Sequence, residues 1–161
     1  MIFDLHVHSR YSRRCGCMQP EEIVRTAIKK GLAGVAVTDH NTIAGGIRAK
    51  AFETGDFGVI VGSEIATDRG EVIGLFLSEE IAPGNFTDVV AAIRKQGGFV
   101  ILPHPFDRLR STALHPQPDD ARQIDGVEGF NARCIFQADN RAAAEFGREH
   151  DLAVVAGSDA H

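Results

Sequence analysis

Ile2-Phe3-Asp4-Leu5-His6-Val7-His8 sets two histidines two residues apart in an otherwise largely apolar stretch. On a β-strand, residues i and i+2 point to the same side. The apolar residues before and between the histidines predict a buried strand whose polar groups gather at its C-terminal end. Two neutral imidazoles projecting together form half of a site for a zinc-like ion. The same spacing also suits two core or surface histidines that merely alternate. The pattern along the remaining chain separates these readings.

After this strand comes a loop rich in Gly, Cys and Arg, then a helix from Pro20 to Gly31. Pro20 suits a first helical position, Glu21-Glu22 the positive N-terminus, and Lys29-Lys30-Gly31 the end. Val35 to Thr38 is a short buried strand, and a helix is expected over Ile43 to Phe52, its start blurred by Gly45-Gly46. Val59–Glu64 and Val72–Leu77 are strands joined too closely for a crossover, so they pair antiparallel. A helix over Phe86–Gln96, strands at Phe99–Leu102 and Gly126–Phe130, a helix over Ala138–His150 and a strand at Leu152–Ala156 continue the alternation. Apolar strands separated by helices predict an α/β fold with a mostly parallel sheet. Six such units and one antiparallel arm favour a barrel-like closure.

The 161 residues are expected to form one domain, residues 1–161, with 43% hydrophobic residues sufficient for a core. No apolar run approaches the roughly 20 residues of a membrane span. Met1 leads into a strand pattern rather than a basic-then-apolar leader, and three cysteines do not make a disulfide framework. The expected location is therefore cytoplasmic. A net charge of −5 argues against a broad surface for long nucleic acid, while leaving room for a local basic pocket.

Histidine placement carries more information than histidine number. Of seven histidines, His6, His8, His40, His104 and His161 fall at or just past a predicted strand's C-terminal end. Only His115 and His150 lie elsewhere, and Glu64 and Asp159 also end strands. In parallel α/β architectures that rim carries the chemistry.

Asp4-Leu5-His6-Val7-His8-Ser9, Thr38-Asp39-His40-Asn41-Thr42, Gly62-Ser63-Glu64, Pro103-His104-Pro105 and Gly157-Ser158-Asp159-Ala160-His161 together resemble the successive motifs of the PHP family, named for its polymerase and histidinol phosphatase members. The resemblance implies a distorted (β/α)7 barrel holding up to three divalent ions, and usually phosphoester hydrolysis. Carried over by position, His6, His8, Glu64 and Asp159 would hold one ion. Glu64 would bridge to a second held by His104, and His40 and His161 would belong to a third. Imidazole and carboxylate ligands suit zinc, manganese or iron without singling one out. Asp39 reads either as an orienting partner of a ligand or, preferably, as the cap of the next helix.

Several positions depart from the family pattern. Arg13 and Arg14 stand where an acidic or histidine ligand often lies, and a guanidinium repels a cation. Ile73 follows Glu71-Val72 where many members have histidine, and Asn131 occupies the place of a further ligand. One or two ions are therefore expected, with three as the upper bound. Cys15, Cys17 or Cys134 could substitute as ligands, or be ordinary loop and buried thiols.

Arg10, Arg13, Arg14, Arg108, Arg110 and Arg133 all follow strands at the same rim, and Arg13, Arg14, Arg108 and Arg133 are expected to grip a phosphate. The leading expectation is a metal-dependent phosphoesterase acting on a small phosphorylated substrate, with a metal-activated hydroxide attacking phosphorus. Asp159 would accept the proton of the attacking water, and His8 or His161 would protonate the leaving oxygen. The alternatives are an exonuclease on short oligonucleotides and a metal-binding protein without turnover. Because His161 is also the last residue, a C-terminal helix is expected to be missing. The strand Leu152–Ala156 is then expected to be exposed or covered by a neighbouring copy.

Overall fold

The computed structural model describes residues 1–13 and 15–161, so Arg14 lies outside the described residues. Seven strands form one sheet in sequence order: β1 (Phe3–Val7), β2 (Gly34–Val37), β3 (Gly58–Thr67), β4 (Gly70–Leu75), β5 (Phe99–Leu102), β6 (Gly126–Asn131) and β7 (Ala153–Gly157). All neighbours pair parallel except β4, which runs antiparallel to both β3 and β5. The edges approach through a bridge between Val7 and Ala160. There the His8 N–H donates to the Ala160 carbonyl and the Asp159 N–H to the His6 carbonyl, each at 2.8 Å. The result is the nearly closed, distorted barrel that the alternation implied.

Four helices, α1 (Pro20–Lys29), α2 (Ala44–Lys50), α3 (Phe86–Lys95) and α4 (Gln137–Glu149), cover the barrel. Pro20 starts α1, and the Gln19 N–H donates to the Glu22 carboxylate at 2.7 Å. Asn85 caps α3 by accepting the Asp88 N–H at 2.9 Å. Apolar faces of α1 and α2 pack with β1–β3 around Val7, Val24, Val35 and Phe57. A larger layer built on Phe86, Ile93, Val100 and Phe146 fills the other side. Ala36, Ile73, Leu75 and Ile101 form a third cluster, against which Leu5, Ile60, Phe99 and Val155 pack.

Two boundaries differ from the sequence expectation. The strand expected to stop at Glu64 runs on to Thr67, and its partner begins at Gly70, so the hairpin turn is only Asp68-Arg69. Glu64 is thus not a strand-end residue; it sits just after β3 passes from parallel pairing at Val61 to antiparallel pairing at Gly62. The second helix starts at Ala44, too late for Asp39 to cap it. Beside the closure, Val7, Ile23, Ala27, Val35, Phe130 and Ala156 line an apolar groove of about 560 Å³, and Ala153, Val154 and Ala156 are exposed.

Candidate metal centre

His6 Nε2 and His8 Nε2 lie 3.0 Å apart at the closure of the barrel. Glu64 Oε2 is 3.3 and 3.2 Å from them, and Asp159 Oδ1 is 3.5 and 3.4 Å away. All four side chains are essentially inaccessible to water. Ligand atoms bound tetrahedrally at about 2.0–2.2 Å are separated by about 3.3–3.6 Å. Five of the separations, from 3.0 to 3.5 Å, are close to that spacing; His6, His8 and Glu64 form one convergent group, and Asp159 converges with His6 and His104.

Hydrogen accounting shows what these four atoms lack. His6 Nδ1 faces Glu128 Oε1 at 3.1 Å, where a carboxylate can only accept, so the His6 proton sits on Nδ1. His8 Nδ1 faces Ser12 Oγ at 3.2 Å. The Ser12 hydroxyl donates to Asp39 Oδ1 at 2.7 Å and accepts the His40 N–H at 3.0 Å, leaving it an acceptor toward His8 as well. Both Nε2 atoms therefore turn lone pairs toward each other and toward two carboxylate oxygens. Asp159 Oδ1 is buried without a hydrogen-bond partner among the described residues, and so is His104 Nδ1. Asp159 Oδ2, in contrast, is held by Arg110 at 2.5 Å and by the Asn131 amide at 3.1 Å. Four converging acceptors with no hydrogen among them call for a proton or a cation.

The ionisation tendencies agree. Burial opposes charge on His6, yet Glu128 and Glu64 raise its pKa well above the ordinary value. Burial likewise opposes charge on His8, and Asp159 and Glu64 outweigh it. Against the same burial, His6 and His104 hold the Glu64 carboxyl well below its usual range, and His8, His6 and Arg110 hold Asp159 far down. Asp159 and His104 both sit at positive φ, 53° and 32°, backbone conformations retained where surrounding contacts fix them.

His104 Nε2 lies 2.9 Å from Glu64 Oε1, and His40 Nδ1 lies 3.2 Å from Glu64 Oε2. His40 and His161 each stack near His8, with ring centroids 4.4 and 4.2 Å from it and 6.0 Å from each other, and the three converge as a further group. All seven residues expected as ligands are thus gathered in one region. Asp39 accepts the Ser9 N–H at 2.7 Å, the Ser9 hydroxyl at 2.6 Å and the Ser12 hydroxyl. It orients the His8 support and caps nothing, which corrects the preferred reading.

The arginines divide. Arg133 reaches His161 Nδ1 at 2.7 Å and Asp159 Oδ1 at 3.6 Å. Arg13 is exposed on a polar cavity of about 870 Å³ that also touches Tyr11, His40, Asn41 and Glu71. Arg108 already has a partner elsewhere: it grips Asp139 at 2.6 and 3.0 Å and lies over the Phe136 ring. Arg14, also expected to grip a phosphate, is the residue outside the described set.

Cys15 lines the cavity, Cys17 is exposed, and neither joins a metal-ligating group among the described residues. Cys134 donates its thiol to Asp107 at 3.4 Å; burial and that carboxylate push its pKa up to about 12, the opposite of a thiolate ligand. Four supporting residues were given no such role from the sequence: Ser12, Glu71, Glu128 and Arg110. Asn131, dismissed as a ligand, serves as an amide donor to both Glu128 and Asp159. Glu128 offered a signal, a lone acid inside the apolar strand Gly126-Val127-Glu128-Gly129-Phe130.

A nearly closed α/β barrel with a histidine–carboxylate centre at one rim defines a class of metal-binding domains. The PHP domain model matches residues 4–123, and the chain belongs to that family. It is 43% identical over 144 residues to an uncharacterized protein of Methanocaldococcus jannaschii, covering 82% of each chain. It is 38% identical over 168 residues to a second uncharacterized protein of that organism, spanning 100% of this chain and 65% of the relative. Its fold is similar to that of a two-domain Bacteroides vulgatus protein described as containing a predicted PHP-like metal-dependent phosphoesterase. The TM-score is 0.80 at 23% identity, covering 99% of this chain and 51% of the other. Among the described residues, no helix is long and apolar enough to cross a membrane.

Proposed function

We propose that this chain is a metal-dependent hydrolase of small phosphate esters. The observation that carries the reading is the set of four converging acceptor atoms on His6, His8, Glu64 and Asp159, with Arg133 beside Asp159 and, through His40, a cavity lined by Arg13. Zinc, manganese or iron would suit those donors, and such an ion supplies Lewis acidity toward a phosphoryl oxygen.

The chain's own residues then have distinct tasks. Arg110 and Asn131 hold one oxygen of Asp159 so that the other stays aimed at the histidines. Asp159 is held so firmly as the anion that it serves better as a ligand than as a proton acceptor. His8 has both ring nitrogens engaged, which leaves His161 to move a proton. His161 Nδ1 can donate to the Asp159 carbonyl at 2.9 Å or accept from Arg133 at 2.7 Å, so its ring can change tautomer in place. Burial, His8 and Arg133 lower its pKa, which favours the neutral ring near pH 7. Arg13 and Arg133 present exposed guanidinium groups to the ester's phosphate.

The test is hydrolysis of aryl phosphates, mononucleotides and a short RNA by protein stripped with chelator and resupplied with manganese, zinc or iron. Release of phosphate restored by one of these ions is the expected result. Faster cleavage of the RNA than of mononucleotides would transfer the assignment to an exonuclease. Metal binding without turnover on any ester would leave a metal-binding protein.

A further inference from the structure

Glu71 begins the one strand that runs against its neighbours, so its end of β4 lies at the rim where the other strands finish. Residues 71 and 73 share a face of that strand. Ile73 pairs across the sheet with Glu64 on one side and Ile101 on the other, and it belongs to an apolar cluster that can ligate nothing. Glu71, two residues nearer the rim, is 8% exposed, and its carboxylate faces His40 and His104 at the edge of the cavity that Arg13 lines. A carboxylate so largely withdrawn from water calls for a countercharge, so its surroundings should explain it.

They form a ring. His40 Nδ1 is 3.2 Å from Glu64 Oε2 and 3.4 Å from Glu71 Oε1. His104 Nε2 is 2.9 Å from Glu64 Oε1 and 3.9 Å from Glu71 Oε2. Two carboxylates thus alternate with two imidazole nitrogens. Four ligand atoms at about 2.0–2.2 Å from one cation, square or tetrahedral, stand about 2.8–3.6 Å apart. The His40–Glu64 and His40–Glu71 sides match and share one nitrogen, and His40, Glu64 and Glu71 offer mutually close ligand atoms, whereas His104 meets the other oxygen of each carboxylate. Each imidazole has a single hydrogen at most for this ring, whereas the two carboxylates offer four oxygens. His104, buried at 1% exposure, also has its other ring nitrogen unpartnered.

We propose that Glu71 completes a second divalent-cation site, with His40 and Glu64 as its other corners and His104 holding the other oxygen of Glu64. Glu64 is shared with the His6–His8–Asp159 centre, and one anion between two cations screens their repulsion. The inference rests on the reading that this first centre holds an ion. It regroups His40, expected with His161, around a carboxylate that replaces the imidazole absent at Ile73. Two carboxylates and an imidazole suit manganese, iron or zinc.

Chelator-stripped protein dialysed against manganese alone should take up two ions per chain, with the spin-coupled electron paramagnetic resonance of a neighbouring pair. Glu71→Gln keeps the side-chain shape without the charge; it should hold one manganese fewer and show the six-line spectrum of an isolated ion. If Glu71→Gln does not fold, Glu71→Asp, which keeps the charge but shortens the reach, should weaken the second ion at least tenfold and leave the first unchanged. A wild-type chain with a single ion, or a Glu71 variant retaining both at wild-type affinity, overturns the proposal. No ion at all would instead fail the reading of the first centre and take this one with it.

Discussion

Asp159 splits its two oxygens between a guanidinium–amide clamp and an unpartnered position facing two lone pairs. In Asp159→Asn the amide can turn its NH2 toward His6 and His8 and its oxygen toward Arg110, giving those acceptors hydrogens instead of an ion. The metal-free variant should therefore melt at or above the wild-type temperature while losing its response to added zinc or manganese. Activity should fall by more than the roughly 10–100-fold typical of losing a group that merely orients a ligand. A metal-induced rise in melting temperature equal to wild type would contradict this. Ser12 is such an orienting group, because it fixes the His8 proton on Nδ1. Ser12→Ala should lower metal affinity about 10–100-fold, and Ser12→Thr should restore it, as measured by competition with a chelating dye. The ligands themselves were legible because five of the seven follow strands and His6 sits one residue before the end of β1. Their supports were not: Glu128 is 122 residues from His6, and Ser12 is 27 from Asp39, so no local pattern couples them.

The alternation of apolar strands and amphipathic helices located every regular strand and α-helix to within a few residues. It failed where a local pattern has two causes. Asp39-His40-Asn41-Thr42 has the composition of a helix start, but Asp39 is consumed by Ser9 and Ser12, and α2 begins later. The rule that chemistry gathers at strand C-termini hid Glu71, since β4 is reversed. Gly45 in α2 looked like a weakness of the helix and is instead a clearance. A Cβ there would stand 1.9 Å from Asp39 Oδ2 and 2.3 Å from Ser9 Oγ. Gly45→Ala gains about 1 kcal/mol of helix propensity but should be destabilising overall, since such overpacking costs about 1–3 kcal/mol. It should also weaken metal binding by displacing Asp39. Gly55→Ala, with nothing within 4 Å of the added methyl, is the control and should change the stability by no more than about 0.5 kcal/mol. Equal behaviour of the two variants would show that the clearance is not needed.

Across the whole molecule, proton and cation compete for one cluster. Without metal, the raised His6 pKa means its stabilising contribution is complete below about pH 6.5 and lost as pH climbs through the raised value. The depressed Glu64 and Asp159 contribute fully above about pH 4 and lose that contribution only as pH falls through their lowered values. Metal requires the imidazoles neutral, so the gain in melting temperature on adding zinc or manganese should grow from pH 5 to pH 9. Chelation should lower the melting temperature, most strongly at the alkaline end; an increment independent of pH would separate the cluster from metal binding. The closure between β1 and β7 has a temporal counterpart. Synthesis delivers His6 and His8 long before Asp159, and the sheet edges they share cannot meet until both exist. A nascent chain can therefore offer an ion His6, His8 and Glu64 but not the fourth group. Secure capture of metal would thus signal that the barrel has been translated through residue 159 and joined to its first strand.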